Sequence, residues 1–170
     1  MSSLIPDVLT AAVLTISDSS ASGERPDTSG PAVVDALRKR NFDVVITDIV
    51  PDDRTHIENA LLQLSERARL VVSTGGTGIA ERDVTPEATR AVCERIIEGI
   101  SERMRIEGAK RTPLAILSRA VCGTRGTSLI LNLPGSPKGA VESLESVIEV
   151  LPHVLQLLSG NTKHDYLSKF

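Results

Sequence analysis

Residues 71–89, VVSTGGTGIAERDVTPEAT, are the stretch that decides how the chain folds. They continue an apolar, β-branched run, Leu70–Thr74, which predicts a buried strand. The glycine-rich segment 75–78 follows, and glycines let backbone N–H groups approach an anion that side chains would keep away. Asp83 comes next, and Thr85 before a proline predicts a helix start with the threonine as N-cap. Together these are the parts of a phosphate site that also uses a metal.

The rest of the chain alternates predicted strands and helices. The predicted strands are residues 9–16, Asp43–Val50, Leu70–Thr74, 114–118 and Ser128–Leu133. The predicted helices begin at Pro31 and after Asp53, cover residues 86–98 and 99–110, and end with a long helix from Pro137 that Pro152 should kink. This order predicts an α/β fold, a three-layer sandwich in which a mostly parallel sheet is flanked by helices. The turn between the last two strands predicts a small antiparallel addition.

Length and composition limit the class of protein. A chain of 170 residues predicts one domain, 1–170, with 161–170 as a frayed polar tail. The net charge of −3 and an aromatic content of 2% argue against a nucleic-acid partner. Residues 1–7 are too short and polar for a signal peptide, and no apolar run approaches a membrane span, so we expect a cytoplasmic protein without a membrane partner. Cys93 and Cys122 are expected to be small buried thiols.

The predicted strand ends suggest where the chemistry lies. Turns near Gly30, Asp52, 75–85 and 135–136 each follow a strand or precede a helix, and in a parallel sheet such turns gather at the carboxyl edge. Helix starts there add free N–H groups for an anion. We pair Asp52 with Asp83 as catalytic carboxylates and ligands of Mg²⁺, which takes one or two carboxylates and completes its shell with water and phosphate. The alternative for Asp52 is an N-cap or a first-turn charge on its helix, and the alternative for Asp83 is a capping role.

Several other polar residues have two readings. Residues 17–30 are either a solvated connection or a loop that lines the site. Ser118, Arg119 and Arg125 either reach phosphate or are ordinary surface residues, and Lys138 is a modest ligand candidate. No ligand spacing and no Ser–His–Asp arrangement is formed by the three histidines, His56, His153 and His164.

Seven motifs occur in an order that resembles one family. They are SDS at 17–19, PDTSGP at 26–31, PDD at 51–53, TGGTG at 74–78, RDVTPEAT at 82–89, LSR at 117–119 and NLPGSP at 132–137. The chain resembles the molybdopterin adenylyltransferase family, the group of MogA, MoaB and the gephyrin G domain. The RDVTPEAT form is similar to the MogA-like branch. Glu81 departs from that pattern and places an acidic side chain beside the presumed phosphate site.

The resemblance implies an α/β sandwich that assembles as a homotrimer and uses Mg-ATP to adenylylate molybdopterin, with release of pyrophosphate. A downstream partner would insert molybdate into the product. The family's two aspartates fall on Asp52 and Asp83. The matching motifs make the following residues candidates for binding ATP and molybdopterin: Ser17, Asp18, Asp27, Ser29, Thr74, Gly75, Gly76, Thr77, Gly78, Ser118, Arg119, Pro134, Gly135, Ser136 and Pro137.

Two other functions stay open at this point. One is a molybdopterin-binding or scaffold domain without turnover, which would keep the pterin pocket and lose productive ATP placement. The other is an unrelated nucleotide or sugar-phosphate binder that shares only the glycine loop. Pterin specificity rests on the resemblance and not on composition or spacing.

Overall fold

The structure is a computed structural model that describes residues 9–161. Its strands are β1 (Thr10–Ile16), β2 (Asp43–Val50), β3 (Leu70–Thr74), β4 (Arg95–Ile96), β5 (Cys122–Arg125) and β6 (Ser128–Leu133). Its α-helices are α1 (Asp18–Ala21), α2 (Ser29–Lys39), α3 (Arg54–Arg67), α4 (Thr85–Val92), α5 (Glu98–Ala109), α6 (Pro137–Glu145) and α7 (Leu151–Leu158). A 3₁₀ helix, Pro113–Leu117, follows α5.

The strands form one mixed sheet in the order β2-β1-β3-β6-β5-β4. The first four are parallel, whereas β5 runs antiparallel to both β6 and β4. The predicted α/β sandwich with a small antiparallel addition is therefore confirmed. Strands β1 and β3 are adjacent, although the chain leaves β1 towards β2 on one side and continues from β3 towards β6 on the other. Such a switch point is where open α/β sheets bind ligands at the carboxyl edge.

Helices cover both faces of the sheet because its central strands are apolar on both faces. All residues of β3 and β6 are buried. On one face α2, α5, α6 and α7 pack through side chains such as Leu37, Met104 and Leu144. On the other face α3 and α4 pack through Leu61 and Val92 among others. The edge strands β2 and β4 differ, since most of their side chains are exposed or half-buried.

A buried hydrogen-bond cluster around Asn132 joins β3, β6 and α4. The Asn132 side chain is fully buried, and its amide donates to Ser73 Oγ and to Thr89 Oγ1, both at 2.9 Å. Its Oδ1 accepts the Val121 N–H at 3.1 Å. Because the side-chain amide uses both its donors and its acceptor, the hydrogen-bond cluster aligns the carboxyl half of the sheet with α4 at little cost in desolvation.

The prediction of a strand at 114–118 was wrong. Residues Pro113–Leu117 form a 3₁₀ helix, capped by the Thr112 hydroxyl, and its apolar side chains face outwards. Leu114 and Ile116 are 69% and 65% exposed. The antiparallel partner of β6 is instead β5, so the apolar run marks a surface and not a strand.

Three helix boundaries also differ from the prediction. The helix expected over 86–98 ends at Val92, because the chain then turns extended and pairs β4 with β5. The long helix from Pro137 stops at Glu145 and resumes at Leu151, where Pro152 occupies the first turn of a new helix and does not kink an old one. Helix α2 begins two residues before Pro31, at Ser29.

The predicted N-cap of α4 was also wrong. Val84 holds that position, and the buried Thr85 hydroxyl donates to the Gly75 carbonyl at 2.9 Å. Thr85 thereby ties the helix start to the glycine loop.

Some expectations concern the chain ends or the cysteines. The segment 1–7, His164 and the tail after Asn161 lie outside the described residues. Among residues 9–161, no helix combines the length and the apolar character needed to cross a membrane. Both cysteines are free thiols, Cys122 buried and Cys93 half-buried. Burial raises the pKa of both and brings that of Cys93 to about 11, so neither is a reactive thiolate at neutral pH.

We predict that Asn132→Leu lowers the free energy of unfolding by about 3 kcal/mol, because it leaves the Val121 N–H and two hydroxyls without their partner in a buried site. Chemical denaturation measures the change. Gln63→Leu, the loss of an exposed amide on α3, is the control and should stay within about 0.5 kcal/mol. An equally small change for Asn132→Leu would mean that the hydrogen-bond cluster contributes nothing to stability.

Candidate functional site

A polar cavity of about 410 Å³ opens at the carboxyl ends of β1 and β3. The lining of this cavity includes eleven of the predicted site residues: Ser17, Asp27, Ser29, Asp52, Thr74, Gly75, Gly76, Asp83, Gly135, Ser136 and Pro137. These residues come from separate turns of the chain. The expected convergence of strand ends and helix starts at one sheet edge is thus present in the structure.

A second cavity, of about 550 Å³, adjoins the first. It is lined by Thr77, Gly78, Ser118 and Pro134 of the predicted residues, and by apolar side chains that include Ile79, Leu114 and Leu117. Gly76, Asp83, Gly135 and Ser136 line both cavities. The two spaces therefore meet beside the Asp83 carboxylate and the start of α6.

The glycine loop is shaped by contacts that exclude side chains. Gly75 has φ +110° and Gly76 has φ +65°, and non-glycine residues rarely adopt such positive angles. A Cβ on Gly75 would lie 2.1 Å from the Ile16 carbonyl oxygen, and one on Gly76 would lie 2.3 Å from Thr85 Oγ1. The Gly75 N–H also donates to the Leu133 carbonyl at 3.1 Å. The loop is consequently pressed between the ends of β1 and β6, and the cavity lies directly above it.

Helix α6 presents its N-terminus at the junction of the cavities. Ser136 is its N-cap, and its hydroxyl accepts the Gly139 N–H at 3.1 Å. Thr74 Oγ1 donates to the Pro134 carbonyl at 2.6 Å and so joins the end of β3 to the turn before α6. The helix start offers backbone N–H groups and the positive end of its dipole to an anion held there.

Asp52 is oriented by an exchange of hydrogen bonds with Asp18. The Asp18 N–H donates to Asp52 Oδ2, and the Asp52 N–H donates to Asp18 Oδ1, both at 3.0 Å. Burial raises the pKa of the Asp52 carboxyl, and the hydrogen bond from Asp18 opposes that effect. The N-cap of α3 is its neighbour Asp53, which accepts the His56 N–H at 2.9 Å. Asp52 precedes that cap, so both the N-cap and the first-turn alternatives for Asp52 are wrong.

Arg82 pairs with Asp18 on the solvent-exposed side of this group. Its guanidinium donates to both carboxylate oxygens of Asp18, at 2.7 Å and 2.8 Å, and these bonds lower the pKa of the Asp18 carboxyl. Asp18 lines neither cavity. It instead connects Arg82, just before Asp83, to the turn that carries Asp52.

Asp83 lines the same polar cavity as Asp52, and its negative charge is one of the smaller causes that raise the pKa of the Asp52 carboxyl. Its Oδ2 accepts the Ala80 N–H at 2.9 Å, and a Cβ on Gly78 would lie 2.7 Å from the same oxygen. Val84 and not Asp83 is the N-cap of α4, so the capping alternative is wrong here as well. Both carboxylates line the cavity, which fits a Mg²⁺ ion that takes its remaining ligands from water and phosphate. Among residues 9–161 no group of three or more acidic, histidine or cysteine side chains is placed to hold a metal, so substrate oxygens would have to complete the shell.

The loop 17–30 lines the site and is not merely a solvated connection. It contains α1, capped by Ser17, whose hydroxyl accepts the Ser20 N–H at 3.2 Å. Asp27 accepts the Thr15 hydroxyl at 2.6 Å and the Gly30 N–H at 3.0 Å, so much of its hydrogen-bonding capacity serves the start of α2.

Other candidates lie outside the two cavities. The Arg119 guanidinium donates hydrogen bonds to the Gly78 and Asp83 carbonyls and to the Glu87 carboxylate. Arg125 donates to the Val92 carbonyl at 3.1 Å, and neither it nor Lys138 lines either cavity. His56 pairs with Asp53, its Nδ1 2.7 Å from the carboxylate.

Sequence reasoning missed Thr15 and Arg25 and gave Thr85 the wrong role. Thr15 holds Asp27, and Thr85 holds the glycine loop. Arg25 is the one basic side chain among the described residues that line the two cavities. The signal for Arg25 was its place in a loop that follows a buried strand. No local pattern indicated the observed hydrogen bonds of the two threonines, because their partners lie 12 and 10 residues away.

The chain is similar to known proteins along most of its length. The family described as "Probable molybdopterin binding domain" matches residues 12–153. The molybdopterin adenylyltransferase of Helicobacter pylori strain J99 is 42% identical over 153 residues, which cover 88% of this chain and 87% of the relative. The enzyme of the same name from Escherichia coli K12 is 39% identical and covers 91% and 87%.

Solved structures give the same result. The molybdopterin biosynthesis enzyme MoaB of Thermus thermophilus has a TM-score of 0.84 and 47% identity, over 89% of this chain and 97% of that one. The Mog protein of Mycobacterium ulcerans has a TM-score of 0.82 and 36% identity, over 88% and 98%. With a family match over most of its length and relatives this similar, the chain belongs to the family of probable molybdopterin-binding domains.

Proposed function

We propose that this chain is a molybdopterin adenylyltransferase, which transfers the adenylyl group of ATP to the terminal phosphate of molybdopterin. The observation that carries the proposal is the pair of cavities that share Gly76, Asp83, Gly135 and Ser136. Two substrates held in adjoining cavities can bring their phosphates together at that junction. The relatives that carry the same activity in their names support the choice of substrates.

The lining of each cavity matches a different substrate. The smaller one has Asp52 and Asp83 with many hydroxyl and backbone groups, which suits the polyphosphate of Mg-ATP. The larger one has apolar walls from Ile79, Leu114 and Leu117 beside the polar Ser118, which suits the fused rings of a pterin.

The reaction needs alignment more than a covalent nucleophile. An oxygen of the molybdopterin phosphate attacks the α-phosphorus of ATP, and the bond to the bridging oxygen breaks, so that pyrophosphate leaves with its electron pair. Asp52 and Asp83 would hold Mg²⁺, which supplies positive charge to the phosphate oxygens. The α6 N-terminus and the glycine-loop amides would orient the two phosphates.

Assembly and a downstream partner also belong to the proposal. We infer a homotrimer from the resemblance. Two exposed features support association of copies: the uncovered edge strand β2, with Val45 and Ile49 exposed, and the exposed apolar side chains Leu114 and Ile116. A molybdate-inserting protein would receive the adenylylated product.

We predict that Asp83→Asn lowers kcat for adenylylation by about 100-fold, because the substitution removes a carboxylate that would hold the metal beside the reacting phosphates. The assay mixes ATP, Mg²⁺ and purified molybdopterin and measures adenylyl-molybdopterin and pyrophosphate. Asp43→Asn, at the opposite end of the sheet and exposed, is the matched control and should keep full activity. Unchanged turnover in Asp83→Asn would refute the assigned role.

The same assay, together with a binding measurement for molybdopterin and for Mg-ATP, separates the remaining functions. Wild-type protein that binds molybdopterin and forms no adenylylated product would be a scaffold. Protein that binds neither molybdopterin nor Mg-ATP would be a different phosphate binder, and the proposed function would fail.

We predict that Asp52→Asn is active at no more than about one hundredth of wild type and yet at least as stable at pH 7. A raised pKa in the folded state means that the folded protein favours the protonated carboxyl, so the charged form lowers stability once the pH is above that pKa. The asparagine is neutral and can still accept the Asp18 N–H. Denaturation at several pH values should show the advantage of the variant shrinking as the pH falls through the Asp52 pKa. A large loss of stability at pH 7 would contradict the prediction.

A further inference from the structure

Arg119 joins the glycine loop to the segment that carries Asp83. Its Nε donates to the Gly78 carbonyl at 2.8 Å, and its Nη2 donates to the Asp83 carbonyl at 2.6 Å. Its own backbone N–H donates to the Thr77 carbonyl at 2.9 Å. One planar guanidinium therefore contacts both ends of the segment 78–83.

The segment between those two contacts has little other support. Residues 79–82 are exposed, and the Asp83 carboxylate accepts the Ala80 N–H from within the same segment. Arg82 holds the outer side through Asp18, whose contact is itself exposed to solvent. The position of the Asp83 carboxylate thus depends on how firmly the two carbonyls are held from inside.

Glu87 keeps the guanidinium in place. It lies in the first turn of α4 and accepts from Arg119 Nη1, and this hydrogen bond lowers the pKa of the Glu87 carboxyl. A rigid helix is in this way connected through Arg119 to both carbonyls. Arginine suits this role because its fork of donors is planar and fixed, whereas lysine is a single flexible point charge.

The side chain does not face the proposed substrates. Arg119 is absent from the lining of both adjoining cavities and borders a separate space beside Glu87 and Arg105. Direct contact with a phosphate in either cavity is therefore not part of its geometry. The sequence-based expectation that Arg119 binds a substrate does not match this placement.

We propose that Arg119 is a positioning residue for adenylyl transfer, which sets the Asp83 carboxylate at the junction of the two cavities by holding the Gly78 and Asp83 carbonyls. The proposal rests on the proposed function only for its kinetic consequence. The structural consequence is a segment 78–83 that loosens when the guanidinium is replaced.

The test compares Arg119→Lys with Arg125→Lys, whose guanidinium also donates to a backbone carbonyl and lies away from both cavities. Arg119→Lys should lower kcat by roughly 10-fold to 100-fold, because a small displacement of a catalytic group slows the reaction strongly. The KM values for ATP and molybdopterin should stay within about twofold, since ground-state binding is retained. Arg125→Lys should match wild type. A rise in KM with unchanged kcat would overturn the proposal in favour of direct binding.

A double-mutant cycle with Asp83→Asn, run under single-turnover conditions, tests whether Arg119 acts through Asp83. If it does, Arg119→Lys should slow the Asp83→Asn enzyme by less than about twofold, because the group that it positions is already absent. Effects that multiply in full would show an independent role and overturn the proposal.

Hydrogen exchange provides a readout that needs no activity. The Ala80 and Asp83 amides, which are hydrogen-bonded within the segment, should exchange about tenfold faster in Arg119→Lys than in wild type or Arg125→Lys, with the rest of the sheet unchanged. If wild type shows no adenylylation, the proposed function fails while this measurement still decides the positioning role. Should Arg119→Lys not fold, Glu87→Gln weakens the same contact and should accelerate exchange in the same segment. Unchanged exchange in a folded variant would overturn the proposal.

Discussion

The contact of Gly75 with the end of β1 is the constraint on which the site depends. The Ile16 carbonyl lies so close that no side chain fits at position 75, and the Gly75 N–H is bonded to the end of β6. Three parallel strands therefore end at the same level around one loop. Because the backbone itself fills the centre, the cavities form on top of the loop and the helix start of α6 points at them.

The charges of the site explain how an acidic protein can hold a polyphosphate. The net charge is −3, and the polar cavity contains carboxylates with Arg25 as the basic side chain in its lining. Besides Arg25, attraction for an anion must come from backbone N–H groups, from the α6 N-terminus and from a metal that the carboxylates hold. Arg82 and Arg119 neutralise Asp18 and Glu87 instead, so their positive charge supports the frame of the site.

Predictions from sequence were most accurate for strands rich in β-branched and other apolar residues. Leu70–Thr74 and Ser128–Leu133, which are buried throughout, were identified with their observed bounds, and so was the largely exposed edge strand Asp43–Val50. The same logic failed at Pro113–Leu117, since an exposed apolar run has an identical pattern. Helix boundaries failed at Val92 and Glu145 for another reason: the chain leaves each helix to satisfy contacts with distant strands and helices. The glycine loop, Asp52, Asp83 and Ser136 were found because each follows or precedes an element whose periodicity is clear.

The sequence by itself determined the α/β architecture, the glycine loop, the two carboxylates and the family, because these follow from local patterns of apolar residues, glycines and caps. Tertiary structure alone decided which partners complete the site. Asp18 meets Asp52 across 34 residues, Arg82 meets Asp18 across 64, and Arg119 meets the Asp83 carbonyl across 36. Hydrogen bonds between residues so far apart depend on how strands and helices pack, and no local pattern in the chain encodes that packing.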